Sequence, residues 1–235
     1  MKTTTYLITF ACLLLLLTTV GDRQVRAEAN NQNAREHTAR IAGIYDVRGT
    51  NTDETSSQYV GQLQIIERGD VYQFKWTVGD QYEGVGVING NFVGVAWTSG
   101  ANGSGCGVVS YRVAANGTLD GVWGMWGVSD SGKERAVRIR GTGLIGTYKV
   151  SGTNPDHSPY ETTLTISAAG KGYAFHWGNN ASGIGIKEDD VVSVGYGGAQ
   201  CAWVAYEIKP GGILDGVWGS SGTYKIGTER AIKRR

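Results

Sequence analysis

The sequence predicts an all-β protein made of two tandem eight-stranded antiparallel barrels, with paired β-sandwiches as the alternative architecture. Three observations lead there. Short runs alternate polar and apolar residues with a period of two. Glycine-centred turns separate those runs. A long internal repeat then copies the whole pattern once. Glycine contributes 37 of the 235 residues and proline only 3, with no Gly-X-Y period, so a collagen is excluded. Seven Trp and 12 Tyr supply enough apolar surface for a core, which excludes wholesale disorder.

The N-terminus reads as an address. Lys2 precedes an apolar run from Leu7 to Val20, and Val25-Arg26-Ala27 suits a cut after Ala27. Residues 1–27 are therefore expected to be a secretory signal peptide, with an uncleaved anchor as the alternative. The run falls short of the ~20 residues of a stable membrane span. The expected location is extracellular or periplasmic. Residues 28–40 are polar and aperiodic and read as a flexible leader.

The repeat organises the remainder. Leu119-Asp120-Gly121-Val122-Trp123-Gly124 recurs as Leu214-Asp215-Gly216-Val217-Trp218-Gly219, 95 positions on. The same offset pairs Cys106 with Cys201, Tyr111 with Tyr206, and Glu134-Arg135-Ala136 with Glu229-Arg230-Ala231. Phe74-x-Trp76 matches Phe175-x-Trp177 at 101, and Gly43-x-Tyr45 matches Gly146-x-Tyr148 at 103. A drifting offset means loop insertions between matched strands. The boundaries expected are 41–140 for the first barrel and 141–235 for the second.

Eight strand-like blocks fill the first unit in order. They are Gly43–Gly49, Tyr59–Glu67, Val71–Val78, Gln81–Ile88, Phe92–Thr98, Gly107–Val113, Leu119–Trp126 and Lys133–Arg138. Turn chemistry at Gly69-Asp70, Gly79-Asp80, Asn89-Gly90 and Asn116-Gly117 separates several of them. The spacing leaves no room for helical crossovers, so the strands must run antiparallel. Up-and-down closure and a Greek-key sandwich both satisfy the pattern.

The Gly43-x-Tyr45 and Gly146-x-Tyr148 openings resemble the Gly-x-Trp opening of calycins, the superfamily of lipocalins, avidins and fatty-acid-binding proteins. The resemblance implies an eight-stranded barrel with a ligand site inside. It also implies a basic residue of the last strand over the opening aromatic, here Arg135 and Arg230. Tyr stands where those families carry Trp, and the units are short, which argues against a roomy cavity. The pattern is also similar to tandem secreted bacterial domains without an assigned activity.

Parity in the strands gives a candidate ligand set. Tyr72, Phe74, Trp76, Trp97, Tyr111 and Trp123 share the inward face in the first unit. Tyr173, Phe175, Trp177, Tyr196, Tyr206 and Trp218 do so in the second. These rings either fill a small barrel or line a pocket for a small hydrophobic or aromatic ligand. Gly84, Gly86, Gly183 and Gly185 beside them mark bends or close approaches. Glu134 and Glu229 read as polar anchors for a ligand, or as partners of Arg, Tyr or Trp that tie the last strand to the first.

Asp120 and Asp215 read as turn or bulge residues. Cys106 and Cys201 either form a disulfide, which needs a near-twofold packing of the units, or remain as free thiols. Only His37, His157 and His176 are present, without matched partners, so no metal site, cofactor or catalytic triad is expected. A net charge of +1 argues against a nucleic-acid partner. The leading expectation is a secreted, non-enzymatic binding protein. The alternative is a structural or adhesive protein with solid barrels that meets a cell-surface or matrix partner through outer-face residues such as Val85, Val87, Val122, Val217 and Trp203.

Overall fold

A computed structural model describes residues 41–100, 103, 105–198, 200–220 and 225–235. The signal peptide read at 1–27 and the leader read at 28–40 lie outside the described residues. The described residues form sixteen strands. They are β1 Gly43–Thr50, β2 Gln58–Arg68, β3 Val71–Val78, β4 Asp80–Asn89, β5 Phe92–Ser99, β6 Gly107–Val113, β7 Leu119–Met125 and β8 Gly132–Thr142. The second half continues with β9 Ile145–Thr153, β10 Pro159–Ala169, β11 Gly172–Trp177, β12 Ser182–Glu188, β13 Val191–Tyr196, β14 Ala202–Lys209, β15 Ile213–Gly219 and β16 Gly227–Lys233. All eight blocks expected in the first unit are strands. The largest boundary difference is β8, which runs on to Thr142 through an irregularity between Arg138 and Arg140.

The strands close into two eight-stranded antiparallel barrels, so the sandwich alternative does not apply. Their membership departs from the repeat boundaries at 41–140 and 141–235. One barrel takes β6 to β13 without interruption. The other takes β1 to β5 together with β14, β15 and β16. We call these the continuous and the split barrel. Each repeat therefore gives five strands to one barrel and three to the other. The exchange is possible because β6 and β14 occupy equivalent positions in the repeat. β5 pairs with β14, Val95 opposite Val204, while β13 pairs with β6, Val194 opposite Val109.

The chain crosses from the split to the continuous barrel between β5 and β6, and back between β13 and β14. Cys106 and Cys201 close the second and fourth ends of these crossovers and are joined as a disulfide, with Cα atoms 5.7 Å apart. Two equivalent positions meet in this way because the repeats are related by an approximate twofold.

Each barrel has its own core. In the split barrel Tyr45, Leu63, Ile65, Phe74, Val93, Val95, Tyr206 and Leu214 fill the middle. Tyr148, Val150, Leu164, Ile166, Phe175, Val109, Tyr111 and Leu119 do so in the continuous one. Gly86 makes room for a core ring: a Cβ there would lie 2.5 Å from Phe74 Cε2. The opening tyrosines are pinned locally, Tyr45 and Tyr148 donating from their hydroxyls to the carbonyls of Ile41 and Leu144, each at 2.7 Å.

The outward apolar residues form the seam between the barrels. Val71, Val85, Val87, Ala96, Val108 and the two cysteines make one buried cluster, with Val122 packed against it. Ile186, Trp203 and Ala205 make another, with Ile184 and Val217 alongside. The backbones approach closely at Gly94, where a Cβ would sit 2.9 Å from Ser193 Oγ and 3.1 Å from Ser110 Cβ. The five residues that suggested an outer binding face are thus spent on joining the two barrels.

Candidate functional site

Each barrel has a packed core and an opening at one end. At the crossover end of the split barrel the odd strands β3, β5 and β15 finish, bringing Trp76, Trp97 and Trp218 to one rim. The even strands β2, β4 and β16 begin there and bring Tyr59, Tyr82 and Glu229. Together with Asn51, Val78 and Val204 they enclose a cavity of ≈ 90 Å³. The rings meet edge to face: Tyr82 on Trp97 at 5.4 Å, Trp97 on Trp218 at 5.7 Å and Tyr59 on Trp218 at 6.3 Å between centroids. Such T-shaped contacts hold aromatic walls in place without filling the space between them.

The floor is a carboxylate. Glu229 Oε1 accepts from Trp76 Nε1 at 2.9 Å and from the Tyr206 hydroxyl. Its Oε2 accepts from the Tyr59 hydroxyl at 2.7 Å. Below it Phe74 stacks against both Trp76 and Tyr206. The floor is therefore clamped from the core side and open toward the rim.

The continuous barrel repeats this construction. Glu134 Oε1 accepts from Trp177 Nε1 at 3.3 Å and from the Tyr111 hydroxyl, and Oε2 accepts from Tyr160 at 2.7 Å. Phe175 stacks on Trp177 and Tyr111. The mouth is wider, with a cavity of ≈ 520 Å³ lined by Val109, Trp123, Met125, Tyr160, Trp177, Asn179, Ala181, Tyr196 and Glu134 among others. Three replacements account for the width. Ala181 follows Trp177 where Tyr82 follows Trp76, Tyr196 stands for Trp97, and Asn179 for Val78. The indole N–H of Trp123 is buried there without a hydrogen-bond partner.

Of the twelve aromatics expected to line a ligand site, Trp76, Trp97 and Trp218 gather at one mouth and Trp123, Trp177 and Tyr196 at the other. Phe74, Phe175, Tyr111 and Tyr206 are core groups beneath the floors. Tyr72 and Tyr173 are not among the residues lining either mouth; Tyr72 lines a separate hollow with Val71, Val85 and Trp126. Glu134 and Glu229 are the polar floor, partnered by Tyr and Trp. Arg135 and Arg230, next to them in the strands, point outward to Asp120 at 2.5 Å and Asp215 at 2.8 Å. They do not cover the opening aromatics; Arg138 lies against Tyr148 instead. Asp120 and Asp215 sit within β7 and β15, not in turns. Tyr59 and Tyr160 were missed, although they recur at the same offset of 101 as Phe74 and Phe175. Their isolation among polar residues hid their inward parity.

Burial sets the protonation of the site. Desolvation pushes the Glu229 carboxyl up from 4.5, against the lowering effect of its three donors. The same cause, with the neighbouring carboxylate adding to it, pushes the phenols of Tyr59, Tyr206, Tyr111 and Tyr160 upward. Tyr45, Tyr72, Tyr148 and Tyr196 are also raised, with burial the largest cause. A raised folded-state value means that stability from these tyrosines is complete below the ordinary 10.0 and is lost as pH climbs through the higher folded values. Glu229 follows the same sign lower on the scale: its contribution is greatest below 4.5 and declines above it. In a spectrophotometric titration these eight phenols are expected to ionise only together with loss of the β-sheet circular dichroism signal. Their ionisation near pH 10 in protein that is still folded would show that they are not sealed from water.

No family model, curated protein or solved structure matches this chain.

Proposed function

We propose that the protein is a secreted, non-enzymatic binding module that captures a small apolar or aromatic ligand in the mouths of its barrels. The observation that carries this reading is the duplicated cavity: both barrels leave one end unfilled, at the same end, with aromatic walls and a hydrogen-bonded carboxylate floor. A concave aromatic pocket with a few fixed polar groups is the general form of a small-molecule site. An enzyme reading has less support, because Glu134 and Glu229 stand in separate barrels and cannot act on one substrate as an acid–base pair. The adhesive reading loses its motivating residues to the seam between the barrels. An oxidising, extracytoplasmic setting agrees with the Cys106–Cys201 disulfide.

The test is intrinsic tryptophan fluorescence against a panel of small apolar and aromatic molecules, neutral and charged. Saturable quenching is expected. Trp97→Ala should weaken the component from the split barrel, and Trp123→Ala the component from the continuous one, by about ten-fold each, on the scale of losing one well-placed ring. A flat response over the whole panel, charged members included, would overturn the reading.

A further inference from the structure

Among the described residues, the floor carboxylates have no counter-charge. Glu229 is 5% exposed and Glu134 7%, and their hydrogen-bond partners are two phenols and an indole in each case. Among the described residues lining either mouth, none is a Lys, Arg or His. Buried carboxylates are normally paired with a cation or neutralised. Here the same unpaired arrangement is built twice, and in both copies the open side faces a ring of aromatic groups.

Those two features select one chemistry. Aromatic faces attract cations through their quadrupole, most strongly when the site is desolvated. An ionised carboxylate offers about four acceptor positions. Among the described residues each floor receives three donors, two on Oε1 and one on Oε2, which leaves one position on Oε2 open. The split-barrel mouth, at ≈ 90 Å³, has room for one compact group only. The wider mouth of the continuous barrel admits the same group on a larger frame.

We propose that the two mouths bind the ammonium group of a small organic cation, with Trp and Tyr faces around it and Glu229 or Glu134 as its counter-charge. This rests on the binding reading above and specifies its ligand.

Isothermal titration with choline and with its neutral carbon isostere, 3,3-dimethylbutan-1-ol, tests it on the whole secreted chain. Choline is expected to bind at two sites and at least ten-fold more tightly than the alcohol. Glu229→Gln should remove one site, Glu134→Gln the other, and the double variant both. Because a buried Glu→Gln change can disturb folding, Trp97→Ala at the rim serves as the second variant, expected to remove the split-barrel site while leaving the near-ultraviolet circular dichroism of the other barrel. Equal affinity for choline and the alcohol would overturn the cation proposal and leave the binding reading standing. Binding only of neutral aromatic molecules would do the same. No binding of any member of either set would overturn both.

Discussion

Replacing Cys106 and Cys201 together by alanine is expected to lower the stability of the protein by about 4.7 kcal/mol, the entropic value for a closed loop of this length. The bond spans 95 residues and encloses the entire continuous barrel. Without it the unfolded chain regains the freedom to separate the two ends of that barrel, and the folded state gains nothing in return. Both residues are 1% exposed within the seam, so the alanines also give up a little packing. For a domain of this size the thermal midpoint should fall by roughly 9–19 °C. Differential scanning calorimetry of the double variant against the parent reads the change directly. A shift under about 2 °C would mean that the seam alone already holds the crossovers together, and that the unfolded chain is compact enough for the bond to constrain little.

The second large effect concerns the exchange of strands. A protease site placed at Gly143, in the β8–β9 turn, can be cut without touching either seam. Gly143 has a φ of +59°, and a Cβ there would have no neighbour within 4 Å. The cut gives two fragments that coincide with the two sequence repeats. If each repeat were its own barrel, reducing the disulfide would let the fragments separate. In the exchanged arrangement they remain paired along β1–β16, β5–β14, β6–β13 and β8–β9. Size-exclusion chromatography after cutting and reduction is therefore expected to show one species of full mass until denaturant is added. Two half-mass species under native conditions would show that the repeats had closed on themselves.

This exchange is also the part of the fold that the sequence concealed. Strand positions were readable because turn residues and period-two alternation are local signals. The inward rings were readable from parity, and Trp76 and Trp177 are buried as that parity requires. Partner choice is different. β6 and β14 carry the same Tyr-and-valine face and are followed by the same Leu-Asp-Gly-Val-Trp-Gly strand, so β5 meets an equivalent surface in either one. No residue pattern distinguishes the two pairings. The paired cysteines were the one long-range hint, since equivalent positions can bond only across a twofold. The binding mouths were partly legible for a related reason. Their tryptophans and glutamates repeat as recognisable blocks, whereas Tyr59 and Tyr160 are single residues in polar strands whose role appears only when β2 closes on β3 and β1 closes on β16.

The split barrel also imposes an order on synthesis. The ribosome delivers β1 to β5 first, but these strands form five-eighths of a barrel with two unsatisfied edges. The continuous barrel can close as soon as β13 emerges, since all its strands are neighbours in the chain. Its closure brings Cys106 and Cys201 to 5.7 Å and so presents β14 beside the waiting edge of β5. The long loop between β5 and β14 is thereby shortened to a contact before the last three strands arrive, which removes most of the entropic cost of joining segments so far apart. The nascent chain is most prone to aggregate in the interval before that happens, and a truncation that removes β14 to β16 would leave it in that state permanently.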